Sequence, residues 1–163
     1  MASGDTLFTW VPPVSERPTS NMATPDTRNN QAVEDFDAAT AETVYVRGIL
    51  DRAYGGGGVT VTVIWKASTA TSGVCRWSVA IERQDTGTDQ DADSFATANT
   101  VDSTASGTSG APIYATIGFT HGAQMDSLAA GEAFRLQIQR AANHANDTMT
   151  GDAELVGIEI KET

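Results

Sequence analysis

Residues 59–66 read Val-Thr-Val-Thr-Val-Ile-Trp-Lys, and this alternation constrains the fold more than any other feature of the chain. Successive side chains of a strand leave opposite faces, so Val59, Val61, Val63 and Trp65 share one side, with Thr60, Thr62, Ile64 and Lys66 on the other. On a helix the same residues would be scattered around the axis. Similar ribbons recur at 75–82 and 134–139, with a more fully apolar one at 113–119, each bounded by clusters of Gly, Ser, Thr, Asp and Asn. Short alternating runs between turn clusters predict an antiparallel sandwich or barrel.

A chain of 163 residues holds one full-sized domain, and 40% hydrophobic against 19% charged residues is globular composition. Strands are expected at 33–37, 44–50, 59–67, 74–83, weakly at 96–103, and at 113–119, 133–141 and 153–161. Eight strands with uneven connections suit Greek-key crossings. The expected fold is therefore all-β, a single antiparallel β-sandwich of about eight strands, jelly-roll-like. Valines and isoleucines in phase with Trp65 and Trp77 are its expected core: Val61, Val63, Val79, Ile81, Leu136 and Ile138.

Four of the five prolines, Pro12, Pro13, Pro18 and Pro25, fall in the first 25 residues and argue against helix and central strand there. The division that follows is an extended, Pro-rich N-terminal arm over 1–31 and a β-sandwich domain over 32–163. Leu7, Phe8, Trp10 and Val11 make the arm apolar, so it is expected to lie against its own sandwich or a neighbouring subunit, and these four are the candidate partner interface. Residues 55–58, four glycines, and the Thr-Ser-Gly triplets at 71–73 and 108–110 read as turns. Residues 85–110 hold Phe95 and Val101 as their only large apolar side chains, which predicts a long loop around one weak strand. Residues 123–131 have the makings of one short helical turn.

The formal net charge is −11, and only Lys66 and Lys161 are lysines. Nucleic acid demands a basic face whose counterions are released on contact, so nucleic-acid binding is not expected. Cys75 is the lone cysteine, in phase with Trp77, Val79 and Ile81, and reads as a small core hydrophobe. The first residues contain neither a basic nor an apolar leader segment, and no apolar run approaches the length of a membrane span. The expectation is no membrane and a cytoplasmic site of synthesis and assembly.

Motifs that carry chemistry are sparse. The glycine run precedes a strand and lacks the Gly-Lys-Ser/Thr of a phosphate loop. Asp89, Asp91 and Asp93 are spaced like the start of a calcium loop. However, Ser94 stands where the sharp-turn glycine belongs and Thr100 where the closing glutamate belongs, leaving them weak metal candidates against a solvated acidic loop. His121 and His144 stand far apart with no cysteine beside them, which disfavours zinc. No Gly-x-Ser-x-Gly nucleophile turn appears, and Glu34, Asp35 and Asp37 are too close together in sequence to flank a sugar as a glycosidase pair. No catalytic residue and no cofactor are expected. Trp10, Trp65 and Trp77 raise carbohydrate stacking; Trp65 and Trp77 fall on the apolar side of their strands, leaving Trp10 free to anchor an interface.

Several segments carry a resemblance: residues 1–7 (MASGDTL), 23–38 (ATPDTRNNQAVEDFDA), the block 54–73, 122–136 (GAQMDSLAAGEAFRL) and the ending 146–163. Together they resemble a family of small proteins recurring in tailed-bacteriophage and environmental viral sequences. The resemblance implies a virion component assembled in the host cytoplasm, as small jelly rolls in tailed phages are commonly capsid decoration (cement) proteins or parts of tail fibres. On that basis the expected function is a non-enzymatic capsid decoration protein. The alternative is a tail-fibre or receptor-binding module that recognises glycans, and a third reading is a stand-alone carbohydrate-binding or hydrolytic domain. The expected partners are further copies of the chain, as a homotrimer, and the major capsid protein or a tail component.

Overall fold

A computed structural model describes residues 4–163. The strands are β1 (Thr6–Trp10), β2 (Thr24–Arg28), β3 (Gln31–Phe36), β4 (Glu42–Ile49), β5 (Val59–Ala67), β6 (Val74–Gln84), β7 (Asn99–Thr104), β8 (Ile113–Phe119), β9 (Ala133–Arg140) and β10 (Ala153–Glu162). They pair throughout as antiparallel ladders in two sheets. Sheet A runs β2-β3-β10-β5-β8, with β1 also on β10, and sheet B runs β4-β9-β6-β7. The eight strands from β3 to β10 thus pass between the sheets in jelly-roll order, with β6 and β7 adjacent in sheet B. A single 3₁₀ turn at Ala123–Met125 stands within the stretch expected to be helical. No helix among the described residues is long and apolar enough to cross a membrane.

The inward faces meet as the alternation dictates. Val61, Val63 and Trp65 from sheet A face Trp77, Val79, Ile81, Leu136 and Ile138 from sheet B, all buried in one cluster. Trp65 and Trp77 sit with ring centroids 6.0 Å apart, and Phe36 meets Trp77 edge-on at 5.1 Å. The Trp65 indole N–H donates to Ser103 Oγ at 3.0 Å. Cys75 is buried beside them, and burial pushes its thiol pKa up, so it remains an unreactive core group.

The N-terminal segment is not separate from the sandwich. β10 pairs with β5 along one edge; along the other, Ala153–Leu155 pairs with β3 and Ile158–Lys161 pairs with β1. This places Leu7 and Trp10 in the chain's own core. Phe8 packs edge-on to Phe134 at 5.1 Å, over Gly48, where a Cβ would collide with the Phe8 ring. Of the four residues expected to meet a partner, Val11 alone is exposed, at 66%. The physical reason is register: Thr6–Trp10 finishes before Pro12, so no ring interrupts its ladder.

Beyond β1 the chain crosses to sheet B, where Glu16 bridges Tyr45 and Met22 bridges Thr43, covering the free edge of β4. It then returns as β2, which tolerates Pro25 because it is an edge strand. β2 and β3 form a hairpin whose two-residue loop, Asn29-Asn30, has φ of 48° and 64°. Asparagine is the residue other than glycine that best accepts such a turn. The boundary expected at residue 31 therefore falls at the start of β3, within this hairpin.

One surface site has a pH-dependent cost. Asp35, on the outer face of sheet A opposite Glu154 and Thr24, has a half-buried carboxyl whose Oδ1 finds no partner among the described residues. Burial first, then the charges of Asp152, Glu154, Asp26 and Glu42, raise its pKa to about 6. A folded pKa above the unfolded value means that the folded state binds more protons between about pH 4 and 6. Stability therefore falls as pH rises through that window, and the cost is fully present above it. The undiscounted figure of about 3 kcal/mol reduces to about 1 kcal/mol for a carboxyl half open to solvent. Asp35→Asn is expected to raise Tm by roughly 2–4 °C at pH 7.5 and leave it unchanged at pH 3.5. An equal gain at both pH values in thermal melts would assign the effect to packing rather than charge.

Candidate functional site in the outer face of sheet B

The outward positions of sheet B share one face, with Arg47 exposed, Tyr45, Ser78, Arg135, Gln137 and Gln139 half-buried, and Thr43, Ala80 and Glu82 covered. The ladder places Thr43, Tyr45 and Arg47 of β4 opposite Gln139, Gln137 and Arg135 of β9, which in turn face Ser78, Ala80 and Glu82 of β6. Each alternates with a core residue of its own strand, so the same alternation that builds the sandwich builds this face.

Onto it folds the loop between β6 and β7. Ala96 N–H donates to Ile81 O at 2.9 Å, drawing the loop along β6. Phe95 is thereby laid beside Tyr45, the two rings nearly parallel at 13° with centroids 5.6 Å apart. The Arg135 guanidinium lies 5.1 Å from the Phe95 ring and 5.7 Å from Tyr45, within cation–π range of both. Its fork is held by Glu82, whose Oε1 accepts from Nη2 at 2.8 Å while Oε2 accepts from Nε. This pairing keeps Arg135 charged and fixed, raising its pKa above the usual arginine value.

Beside this platform is a groove of about 210 Å³ lined by Trp10, Val14, Ser15, Glu16, Tyr45 and Arg47. The Trp10 indole N–H donates to the Val14 carbonyl, shaping the wall from within. Val14 itself is 78% exposed. Arg47 and Glu16 form an ion pair across the rim, both side chains open to water. Among the described residues the Tyr45 hydroxyl, the Gln137 amide and the Ser78 hydroxyl make no hydrogen bond within the protein.

The structure disperses the sequence candidates. Asp89 spends its carboxylate on its own turn, accepting from Asp91 N–H at 3.1 Å, and Asp91 and Asp93 continue along the same loop. Among the described residues no three metal-ligating side chains converge. Glu34 is buried and held by Ser15 Oγ and Arg17 Nη2, each at 2.6 Å, whereas Asp37 caps Ala39 N–H and Thr40 N–H, which holds its pKa below the usual range. The carboxylates at 34–37 thus serve three separate environments. His121 lies 3.2 Å from the Tyr54 hydroxyl at one end of the sandwich, while His144 closes a turn by accepting from Asn146 N–H at 3.1 Å. Trp10, expected as the free aromatic, is buried and contributes a wall, and the half-buried Tyr45 and Phe95 supply the aromatic rings of this face. Tyr45 signals this in the sequence, as an aromatic out of phase with Val44 and Val46.

No family model and no curated protein matches the sequence. Among solved structures, the chain is similar to an exo-β-1,3-galactanase from Phanerochaete chrysosporium solved with galactose, with TM-score 0.53 and 15% identity over 98% of this chain and 29% of that one. It is also aligned with the CBM22-1 xylan-binding domain from Paenibacillus barcinonensis, with TM-score 0.42 and 12% identity over 99% and 96% of the two chains. The chain therefore spans 29% of the length of the galactanase it resembles. At 15% identity the likeness to the galactanase segment is one of fold alone.

Proposed function

We propose that the protein is a non-catalytic glycan-binding module whose ligand lies on the outer face of sheet B. The observation that carries this reading is the Tyr45–Phe95 pair, a half-buried aromatic platform on the sheet with unsatisfied hydroxyl and amide groups beside it. Sugar rings present apolar C–H faces ringed by hydroxyls, and such a mixed surface matches both. The sandwich shared with a segment of a galactose-bound galactanase supports the reading at the level of fold. Within the virion setting implied by the family resemblance, the module would be the receptor-gripping part of a tail fibre. The capsid-decoration reading rests on that resemblance, and Leu7 and Trp10, which were its candidate interface, pack in this chain's own core.

Glycan-array screening followed by calorimetry on the best ligand tests this. Tyr45→Ala is expected to weaken binding by at least about tenfold, the equivalent of about 1.4 kcal/mol, with circular dichroism unchanged because the side chain is outside the core. Unaltered affinity in Tyr45→Ala and Phe95→Ala would remove the face from consideration.

A further inference from the structure

We infer that the ligand of this face is an uncharged glycan, one ring of which enters the groove beside Tyr45 where Glu16 and Arg47 read its hydroxyls; this rests on the glycan-binding reading above. The basis is the charge balance of the face. The molecule carries a formal −11, yet each arginine on this face has its own carboxylate: Arg47 with Glu16, Arg135 with Glu82, and Arg76 with Asp102.

An anionic sugar needs a cation that is free to turn towards it, and it would approach against the field of the whole molecule. Taking Arg135 would strand Glu82, which is 1% exposed, at the cost of an uncompensated buried charge. The three carboxylates that hold these arginines are already paired and offer nothing to a cationic sugar. What remains unpaired is neutral: the Tyr45 hydroxyl, the Gln137 amide and the Ser78 hydroxyl.

The rim pair is suited to neutral recognition. A guanidinium fork offers parallel donors and a carboxylate offers acceptors, so together they meet adjacent hydroxyls without changing the net charge. Because both side chains are exposed, at 63% and 39%, they can turn towards a ligand while remaining in contact. The groove volume of about 210 Å³ falls below the roughly 300–1,000 Å³ of pockets that enclose a drug-sized molecule. It has room for one ring, and the rest of an oligosaccharide would lie along Tyr45, Gln137 and Ser78.

The test uses the full chain and paired oligosaccharides on a common backbone, one member neutral and one bearing uronate or sialate groups, titrated at low and high salt. Neutral members are expected to bind with affinity unchanged within about twofold by salt. Glu16→Gln keeps the backbone bridge to Tyr45 but frees Arg47. It is expected to weaken neutral ligands about fivefold and to strengthen the acidic members by a similar, salt-sensitive factor. Preference of the native protein for acidic members overturns the inference while leaving the glycan-binding reading intact. Absence of binding to either series overturns both. A Glu16→Gln protein with unaltered selectivity removes the rim pair from recognition.

Discussion

Replacing Arg140 by methionine is expected to destabilise the fold by about 3–5 kcal/mol, the range for stripping one partner from a buried ion pair. Arg140 occupies the last inward position of β9, in line with Phe134, Leu136 and Ile138, and is fully buried. A guanidinium there is tolerated because its donors are spent on named acceptors. Nε and Nη2 hold the two Asp147 oxygens at 3.1 and 3.0 Å, Nη1 reaches Gly151 O at 2.8 Å and Phe36 O at 3.3 Å, and Nη2 also reaches Met149 O at 2.8 Å. Asp147 Oδ2 in turn accepts from Arg76 N–H at 2.9 Å. One side chain thus ties the 141–152 connection to β3 and β6 across the end of the core. Methionine fills much of the volume but leaves Asp147 buried without its counter-charge and three carbonyls without donors. At roughly 2–4 °C per kcal/mol for a chain of this size, Tm should drop by about 6–20 °C. The double variant Arg140→Met, Asp147→Leu should recover part of that loss, because it removes the orphaned charge along with its partner. A single variant melting within 2 °C or so of the native protein would show that the network contributes little.

Local alternation made most of this fold legible. Expected strands at 59–67 and 113–119 coincide with β5 and β8, and the other six lie within a few residues of β3, β4, β6, β7, β9 and β10. These strands each have a buried face, so their sequences carry the period of the pleat. β1 and β2 were harder to see because the prolines around them suggest an arm. What decides their state is which N–H groups the ladder uses, and Pro25 on an edge and Pro12 beyond the end of β1 cost it nothing. The Asn29-Asn30 turn was a readable sign of the β2–β3 hairpin. The aromatic platform could be read only by half. Tyr45 betrays itself by being out of phase with the core, but Phe95 belongs to a loop without periodicity. It reaches Tyr45 only because the loop folds back over the sheet, a non-local event that local pattern does not encode. Arg140 was similarly hidden, since an arginine ending an alternating strand ordinarily reads as its solvent-exposed terminus.

Deletion of residues 1–28 is expected to abolish folding, and this separates an integrated N-terminal segment from a detachable arm. The deletion strips β1 from β10 and takes Leu7, Phe8 and Trp10 out of contact with the core, each worth about 1.5–3 kcal/mol of apolar burial. It also removes Ser15 and Arg17, the partners of Glu34, whose side chain is fully buried. A carboxylate left in that position without a cation costs several kcal/mol more. The combined loss is comparable with the whole 5–15 kcal/mol that keeps a domain folded. Far-UV circular dichroism should therefore show loss of the sheet signal, and size-exclusion chromatography should show aggregation rather than a smaller monomer. Arg17→Met isolates the electrostatic part and should cost about 3 kcal/mol or more in a protein that still folds. If the truncated chain instead keeps its native spectrum and melts cooperatively, β1 contributes little to the core. Leu7, Phe8, Trp10 and Val11 would then be free to engage a partner, as the candidate interface expected from the sequence.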